Sequence, residues 1–349
     1  MTKSPKPSNE SHLLSWRIPT ISEIATRAGV GIATVDRVRN NRTGVSKKTR
    51  LKVLNALDEL KSINSNSSEK PLSVGILVES GISFNRTFQA GVNFASKELS
   101  NVKFVEKYLT SPAVDPVAFA SEISMLIDHV DGLLLVAREH AEINRAIKRI
   151  TRTGKPVICV TTDLPNSDRT AYVGEDQTSA GAAAALLLGN SIREQNGRIL
   201  FVLSVPFRCQ KEREQGFRHV LRTEFPNLVM DETVCSHEDS SRTYEEVRKY
   251  LKENRAPSAI YNVAGGNTGV AKALKEANLN DEVIFIGHEL NENSTALLEQ
   301  GVMDYIIGHR VQSEILESID LIRGCRDGIP AANRFTETLI HTKYNCFVS

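Results

Sequence analysis

The sequence predicts an α/β protein: an N-terminal three-helix unit built on a helix-turn-helix, followed by two doubly wound parallel-sheet lobes. Three observations predict it. Thr20 to Leu60 carries two short helical patterns joined across Gly29, then a third. From Leu72 onward, short apolar runs alternate with amphipathic stretches, the pattern of parallel strands covered on both faces. Residues 1 to 65 hold 12 Lys+Arg against 5 Asp+Glu, whereas the rest of the chain holds 31 against 37, so a basic head sits on an acidic body. The expected organisation is a flexible tail at 1–17, a helix-turn-helix domain at 18–61, a linker at 62–71 and a two-lobed body at 72–349.

Composition narrows the class. At 349 residues and 40% apolar, the chain can bury a headpiece core and two further cores. His12-Leu13-Leu14-Ser15-Trp16 is too short for a secretory core and no run of 18 apolar residues occurs, so a soluble, cytoplasmic protein with no membrane partner is expected. The five cysteines are odd in number, scattered and without metal spacing, which reads as free thiols. No metal and no cofactor is expected.

The tail lacks periodicity and is rich in Pro and Ser. Thr20 then precedes Ile21, Ile24, Ala25 and Ala28, an apolar helical stripe, and Glu23 stands three residues after Thr20, completing a capping box. Gly29 tolerates the left-handed backbone that ends a helix, and helical spacing resumes at Ile32. In this second helix Ala33, Val35 and Val38 are available for burial, leaving Gly31, Ile32, Thr34, Asp36, Arg37 and Asn40 for solvent or DNA. The N-terminal part of such a second helix meets base edges in the major groove. Ser46 caps a third helix to Leu60, with Leu51, Val53, Leu54, Leu57 and Leu60 as its packing face. Lys47, Lys48 and Arg50 oppose the dipole of that helix in its first turn, which phosphate explains better than helix stability does. With the basic charge, this points to a polyanion.

The segment resembles the DNA-binding headpiece of the LacI family of bacterial transcription regulators. The matching residues are Thr20-Ile21, Ile24-Ala25, Ala28-Gly29-Val30, Thr34-Val35, Arg37-Val38, Asn40, Val45-Ser46 and Thr49-Arg50, ending in Leu54, Leu57 and Leu60. The resemblance implies that Thr20, Thr34, Arg37, Asn40, Ser46 and Thr49 contact operator phosphate or bases. It also places Ile32 and Ala33 at the two positions that vary with operator sequence. Gly31 and Asp36 stand where the family has serine. A carboxylate near phosphate is repulsive unless it accepts from a cytosine amino group or pairs with Arg37.

Between Leu60 and the body lies Lys61-Ser62-Ile63-Asn64-Ser65-Asn66-Ser67-Ser68-Glu69-Lys70-Pro71, which reads as coil. The family normally places here a helix whose paired leucines wedge into the minor groove. No leucine occupies this stretch, so an intercalating hinge helix is not expected.

In the body, strands are expected at Ser73 to Glu79, Val102 to Tyr108, Gly132 to Val136, Val157 to Thr161, Tyr172 to Val173, Arg198 to Leu203, Ser258 to Asn262 and Val283 to Gly287. Helices are expected at Phe88 to Leu99, Pro116 to His129, Ala141 to Thr153, Thr178 to Arg193, Arg213 to Glu224, Tyr244 to Asn254 and Asn267 to Ala277. A restart near Tyr172 suggests two similar lobes, with ligand binding at the carboxyl ends of their strands.

This body resembles the periplasmic-binding-protein-like effector domain of the same family. The markers are Val130-Asp131-Gly132, Gly154-Lys155-Pro156-Val157, Val173-Gly174-Glu175-Asp176, Gly181, Arg213-x-x-Gly216-Phe217, Ile286-Gly287-His288-Glu289 and Ile306-Ile307-Gly308-His309. By position, the effector-binding candidates are Asn85, Arg86, Arg138, Glu139, Thr161, Asp163, Arg213, Asn262, Glu289 and His309. Bidentate Arg and carboxylate groups suit vicinal hydroxyls, so a sugar or polyol is the expected ligand. Thr161 and Thr162 replace the Asp-Arg pair common in sugar binders. Phe84 and Tyr261 either stack on a sugar face or belong to the core.

Ala264-Gly265-Gly266-Asn267-Thr268-Gly269 lacks the Lys of a P-loop and reads as a turn before a helix. No nucleophile elbow or metalloprotease motif occurs, so no catalytic residue is expected. The expected protein is a transcriptional regulator, by default a repressor, binding a pseudo-palindromic double-stranded operator as a homodimer under effector control. Two other readings stay open: a solute-binding protein serving a transporter, and a sugar-modifying enzyme with an attached DNA-binding domain.

Overall fold

A computed structural model describes residues 21–39, 44–65, 71–111, 113–192, 196–204 and 207–346. The chain divides into two compact units at the Lys70–Pro71 junction. The expected tail, the capping residue Thr20 and the operator candidate Asn40 lie outside the described residues.

The first unit contains α1 (Ile21–Ala28), α2 (Ile32–Arg39) and α3 (Lys47–Ser65). Ile24, Ala25, Val35, Val38 and Val53 form its core, flanked by Ile21, Ala28, Val30, Val45, Leu57 and Leu60. Gly29 adopts φ +63°, and the Val30 N–H returns to the Ala25 carbonyl at 3.0 Å, so α1 ends as expected. The Ser46 side chain accepts from the Thr49 N–H at 3.1 Å, the cap of α3.

Three expectations here need correction. Leu51 and Leu54 are exposed, because a strict three-residue spacing drifts around a helix of 3.6 residues per turn. Val53, Ala56, Leu57 and Leu60, spaced i, i+3, i+4, i+7, supply the buried stripe instead. Ala33 is exposed rather than buried, since two residues of helix place it across the axis from Val35. Finally, Lys61 to Ser65, expected as coil, belong to α3, and no Gly or Pro lies within them.

The second unit begins with β1 (Leu72–Ser80), α4 (Ile82–Glu98), β2 (Val102–Thr110), α5 (Pro116–Ile127), β3 (Gly132–Val136), α6 (Ala141–Thr151), β4 (Val157–Val160) and β5 (Ala171–Glu175). It continues with α7 (Gln177–Ser191), β6 (Arg198–Leu203), α8 (Arg208–Glu224), β7 (Val229–Cys235), α9 (Ser240–Glu253), β8 (Ala259–Asn262) and α10 (Asn267–Glu276). It closes with β9 (Ile284–His288), α11 (Glu292–Glu299), β10 (Tyr305–Gly308), α12 (Val311–Arg326), β11 (Arg334–Thr336) and β12 (Leu339–His341).

Two six-stranded sheets result, in the orders β11-β5-β4-β3-β1-β2 and β12-β10-β9-β8-β6-β7. All pairings are parallel except β10 with β12. Apolar runs such as Gly132–Val136 are buried on both faces, with helices packed above and below. Asp115, Asp176 and Asp239 each cap the helix that follows them.

The lobe boundary differs from the expected restart near Tyr172. Ala171–Glu175 is the fifth strand of the first sheet, and the chain crosses to the second lobe only afterwards. It crosses back after Gly308, because α12 packs on the first lobe, and crosses a third time between β11 and β12. The strands Val229–Cys235, Arg334–Thr336 and Leu339–His341 carry no clean apolar run and were not expected from the sequence.

Candidate functional site

The three crossings converge on one buried polar network. Glu175 ends the first crossing's strand, and its Oε1 accepts from Arg213 Nη2 at 3.2 Å while its Oε2 accepts from Thr338 Oγ1, on the third crossing, at 2.9 Å. His309 lies on the second crossing, with Nε2 3.3 Å from Glu289 Oε1 and Nδ1 2.7 Å from Glu314 Oε1. Glu314, in the first turn of α12, also accepts from Thr161 Oγ1 at 2.9 Å and Thr336 Oγ1 at 3.1 Å. The first and second crossings are therefore tied to both lobes by side chains, and the third is fastened to them through Glu175 and Glu314.

Arg213 is placed by a close helix pair. A Cβ on Gly181 of α7 would overlap the Arg213 carbonyl oxygen, and one on Gly216 of α8 would overlap the Thr178 carbonyl, so only glycine permits this approach. The guanidinium then donates to Gln177 Oε1 at 2.7 Å and the Val263 carbonyl at 3.1 Å, besides Glu175, and lies 3.7 Å from Glu289 Oε1. Its side chain is 4% exposed and that of Glu289 20%, so Glu289 is the member of the pair that meets solvent.

Electrostatics follow this arrangement. Burial raises the pKa of Glu175, with Arg213 opposing. Burial also acts to raise that of Glu289, but His309 and Arg213 outweigh it and hold the carboxyl below its ordinary value. For His309 burial acts downward, yet the Glu314 and Glu289 carboxylates hold the imidazole well above its ordinary value. Thr161 and Glu289 adopt φ +62° and +71°, strained for residues with a Cβ, and both sit in this network. Thr161 is fully engaged: its carbonyl accepts from Gln177 Nε2 at 2.8 Å and from the Tyr172 hydroxyl at 3.1 Å.

Of the ten effector candidates, the structure brings Thr161, Arg213, Glu289 and His309 together. Arg138 is paired with buried Glu79 at 2.5 Å and donates to the Val114 carbonyl, within the first lobe. Glu139 reaches Arg208 of the second lobe at 3.9 Å. Asn262 donates to Asn267 Oδ1 at 2.7 Å, bracing the Gly265-Gly266 turn that opens α10. Asn85 is occupied by Ser80 and the Leu109 carbonyl, Asp163 pairs with Arg169, and Arg86 is exposed. Tyr261 belongs to the core: it is fully buried against Phe217 and its hydroxyl lies 2.8 Å from His288 Nε2. Phe84 is half-buried, its ring 6.3 Å from that of His309.

Glu175, Gln177, Glu314, Thr336 and Thr338 belong to the network without being expected as site residues. Glu175 lay inside a quoted marker, Val173-Gly174-Glu175-Asp176. Glu314 lacked such a signal, being one of several acids on an amphipathic helix.

In the first unit, Gly31, Ile32, Ala33, Arg37 and Ser46 are exposed, and Thr34, Asp36 and Thr49 are partly so. They occupy the turn, the second helix and the start of the third. Ser46 and Thr49 hydroxyls lie 2.8 Å apart. Among the described residues no group of three or more His, Cys, Asp or Glu is placed to hold a metal ion, and no helix is long and apolar enough to cross a membrane.

Comparison with known proteins agrees with this division. Residues 20–63 match the family of bacterial regulatory proteins described as the lacI family, and residues 75–322 match a periplasmic binding protein domain. The chain is 28% identical over 250 residues to the HTH-type transcriptional regulator DegA of Bacillus subtilis, spanning 69% of this chain and 72% of that one. It is 27% identical over 172 residues to catabolite control protein A of Streptococcus mutans, covering 48% and 51% of the two chains. The fold resembles GanP, a glucose-galactose binding protein from Geobacillus stearothermophilus, with a TM-score of 0.70 at 21% identity, over 79% of this chain and 99% of that one. It also resembles an ABC transporter solute binding protein from Burkholderia graminis in complex with D-arabinose, with a TM-score of 0.72 at 21% identity, over 79% and 96%.

Proposed function

This chain belongs to the lacI family of bacterial regulatory proteins, with a periplasmic binding protein domain as its body, and from that membership we propose how it works. It is a DNA-binding transcriptional regulator whose operator affinity is set by a small polar effector, a sugar or polyol, held between the lobes. One observation carries the effector reading: Glu289 extends a partly exposed carboxylate toward the cleft from a buried chain of Arg213 and His309. A sugar's vicinal hydroxyls would complete that chain, accepting from Arg213 across its long 3.7 Å pair with Glu289 and donating to the carboxylate.

On DNA, Thr20, Gly31, Ile32, Ala33, Thr34, Asp36, Arg37, Asn40, Ser46 and Thr49 form the operator-reading face. A single headpiece reads a short half-site, so the regulator works as a homodimer on a pseudo-palindromic operator. It acts as a repressor in the cytoplasm, and the effector leaves the cleft chemically unchanged. Because the network ties all three crossings, an effector that binds one lobe arrangement more tightly shifts the population competent for DNA.

The test is a thermal-shift screen over sugars and polyols, repeated with Glu289→Ala. A stabilising ligand that loses its effect in the variant and is recovered intact supports the reading. Retained stabilisation in the variant, or turnover of the ligand, overturns it.

A further inference from the structure

Outside the hinge, one contact joins the two lobes through an uncommon backbone. His237 and Glu238 follow β7 with φ +52° and +58°, two successive residues in the left-handed region. This turn points the Glu238 carboxylate away from its own strand. Its Oε1 accepts from Gln210 Nε2 at 2.8 Å and its Oε2 accepts from the Gly265 N–H at 3.0 Å, both in the second lobe. On its other side stands Gly81 of the first lobe. A Cβ at Gly81 would lie 2.8 Å from Glu238 Oε2, 3.1 Å from its Cβ and 3.2 Å from its carbonyl oxygen.

Gly81 is the N-cap of the 17-residue α4, and no side chain caps that helix end. The Ser80 hydroxyl donates to the Gly81 carbonyl and to Asn85 Oδ1, and Asn85 donates on to the Leu109 carbonyl, so the approach to the helix is held firmly. A carboxylate beside the N-terminus of a helix is favoured by its dipole. Gly81 has φ −68° and ψ 158°, values any residue adopts, so the backbone does not require glycine there. It is the close approach of Glu238 that leaves little room for a side chain, so a Cβ at Gly81 would push Glu238 out of its seat. Gly265, on the opposite side, is equally tight: a Cβ there would lie 2.5 Å from Glu238 Oε2.

We infer that Glu238 is a latch between the lobes: seated between Gly265 of its own lobe and Gly81 of the other, its carboxylate lies against the uncapped start of α4 and holds the lobes together. The contact forms only when the cleft is closed at this edge. Effector binding and latch formation are then two ways of favouring the same closed arrangement, one at the hinge side and one at the rim. The latch itself rests on the two-lobed fold and needs neither an effector nor an operator, so its failure leaves the proposed function untouched.

The test measures lobe separation in the full chain by double electron–electron resonance. Nitroxides are attached at Lys97 on α4 and Lys252 on α9, both exposed, with Cys235 and Cys325 replaced by serine. The parent chain is expected to show a dominant short distance, and Glu238→Ala and Gly81→Ala each to move population to a longer one. The double variant is expected to open no further than Gly81→Ala alone, since both changes act on one contact. Circular dichroism checks folding, and Glu238→Gln, which keeps the shape and loses the charge, is expected to open the lobes partway. An unchanged distance in Glu238→Ala and Glu238→Gln, or shifts that add in the double variant, would overturn the latch.

Discussion

His309 and Glu314 are joined by a 2.7 Å contact between Nδ1 and Oε1, with the imidazole 1% and the carboxylate 0% exposed. This pair fastens the second crossing to the first turn of α12, and Glu289 lies on the imidazole's other nitrogen.

The pair makes stability depend on pH in a fixed sense. The folded-state pKa of His309 is held well above its ordinary value, chiefly by Glu314 and Glu289 acting against burial. Its contribution is therefore complete below about pH 6.5, the ordinary value, and is lost as pH rises through the raised folded-state value. His309→Gln keeps neutral polar contacts but cannot titrate. In urea titrations from neutral into alkaline pH, the stability margin of the natural chain over His309→Gln is expected to shrink. A margin that grows contradicts the charged pair.

Arg213 faces Glu175 and Glu289 in a site with little access to water. Arg213→Ala leaves two carboxylates without their guanidinium, and losing one partner of a buried pair costs about 3–5 kcal/mol. Urea unfolding checks this; a loss below about 1 kcal/mol, the range of exposed pairs, would show that water reaches the site.

Arg37 is exposed on α2 within the expected operator face. Arg37→Ala is expected to weaken operator binding by about 1–3 kcal/mol, the worth of one good base contact, and to leave effector affinity unchanged. Fluorescence anisotropy on operator DNA measures the first and calorimetry the second.

Helix α3 runs to Ser65, and residues 61 to 71 contain no leucine. The segment lacks the paired leucines that unstack a base step in this family, Ile63 being its one large aliphatic residue, so little operator bending is expected. Energy transfer between dyes at the two DNA ends should change little on binding. A strong bend, or a wedge from residues 61 to 71 seen in a complex, contradicts this; residues 66–70 lie outside the described residues.

Much of the architecture was legible because parallel strands buried on both faces leave continuous apolar runs, as at Leu133-Leu134-Leu135 and Ile158-Cys159-Val160. The headpiece was legible through Gly29 and Ser46, which act locally. Glu314 and Thr338 were not, because their partners Thr161 and Glu175 are distant in sequence and only the folded crossings bring them together. Asp163 illustrates the converse: the end of a strand placed it near the cleft by position, and a local pair with Arg169 occupied it. Leu51 and Leu54 follow a three-residue period that a helix does not keep, which is why they are exposed rather than packed.

We propose that an effector held at Glu289 and Arg213 controls DNA binding. The most direct measurement is operator affinity with and without the sugar or polyol that raises the melting temperature most, in the natural chain and in Glu289→Ala. A change of at least roughly fivefold is expected in the natural chain, the lower end of ordinary allosteric coupling. No ligand-dependent change is expected in Glu289→Ala, each affinity being compared with that of the same variant without ligand. A ligand that stabilises the protein yet leaves operator affinity unaltered, or a variant that responds like the natural chain, would contradict it.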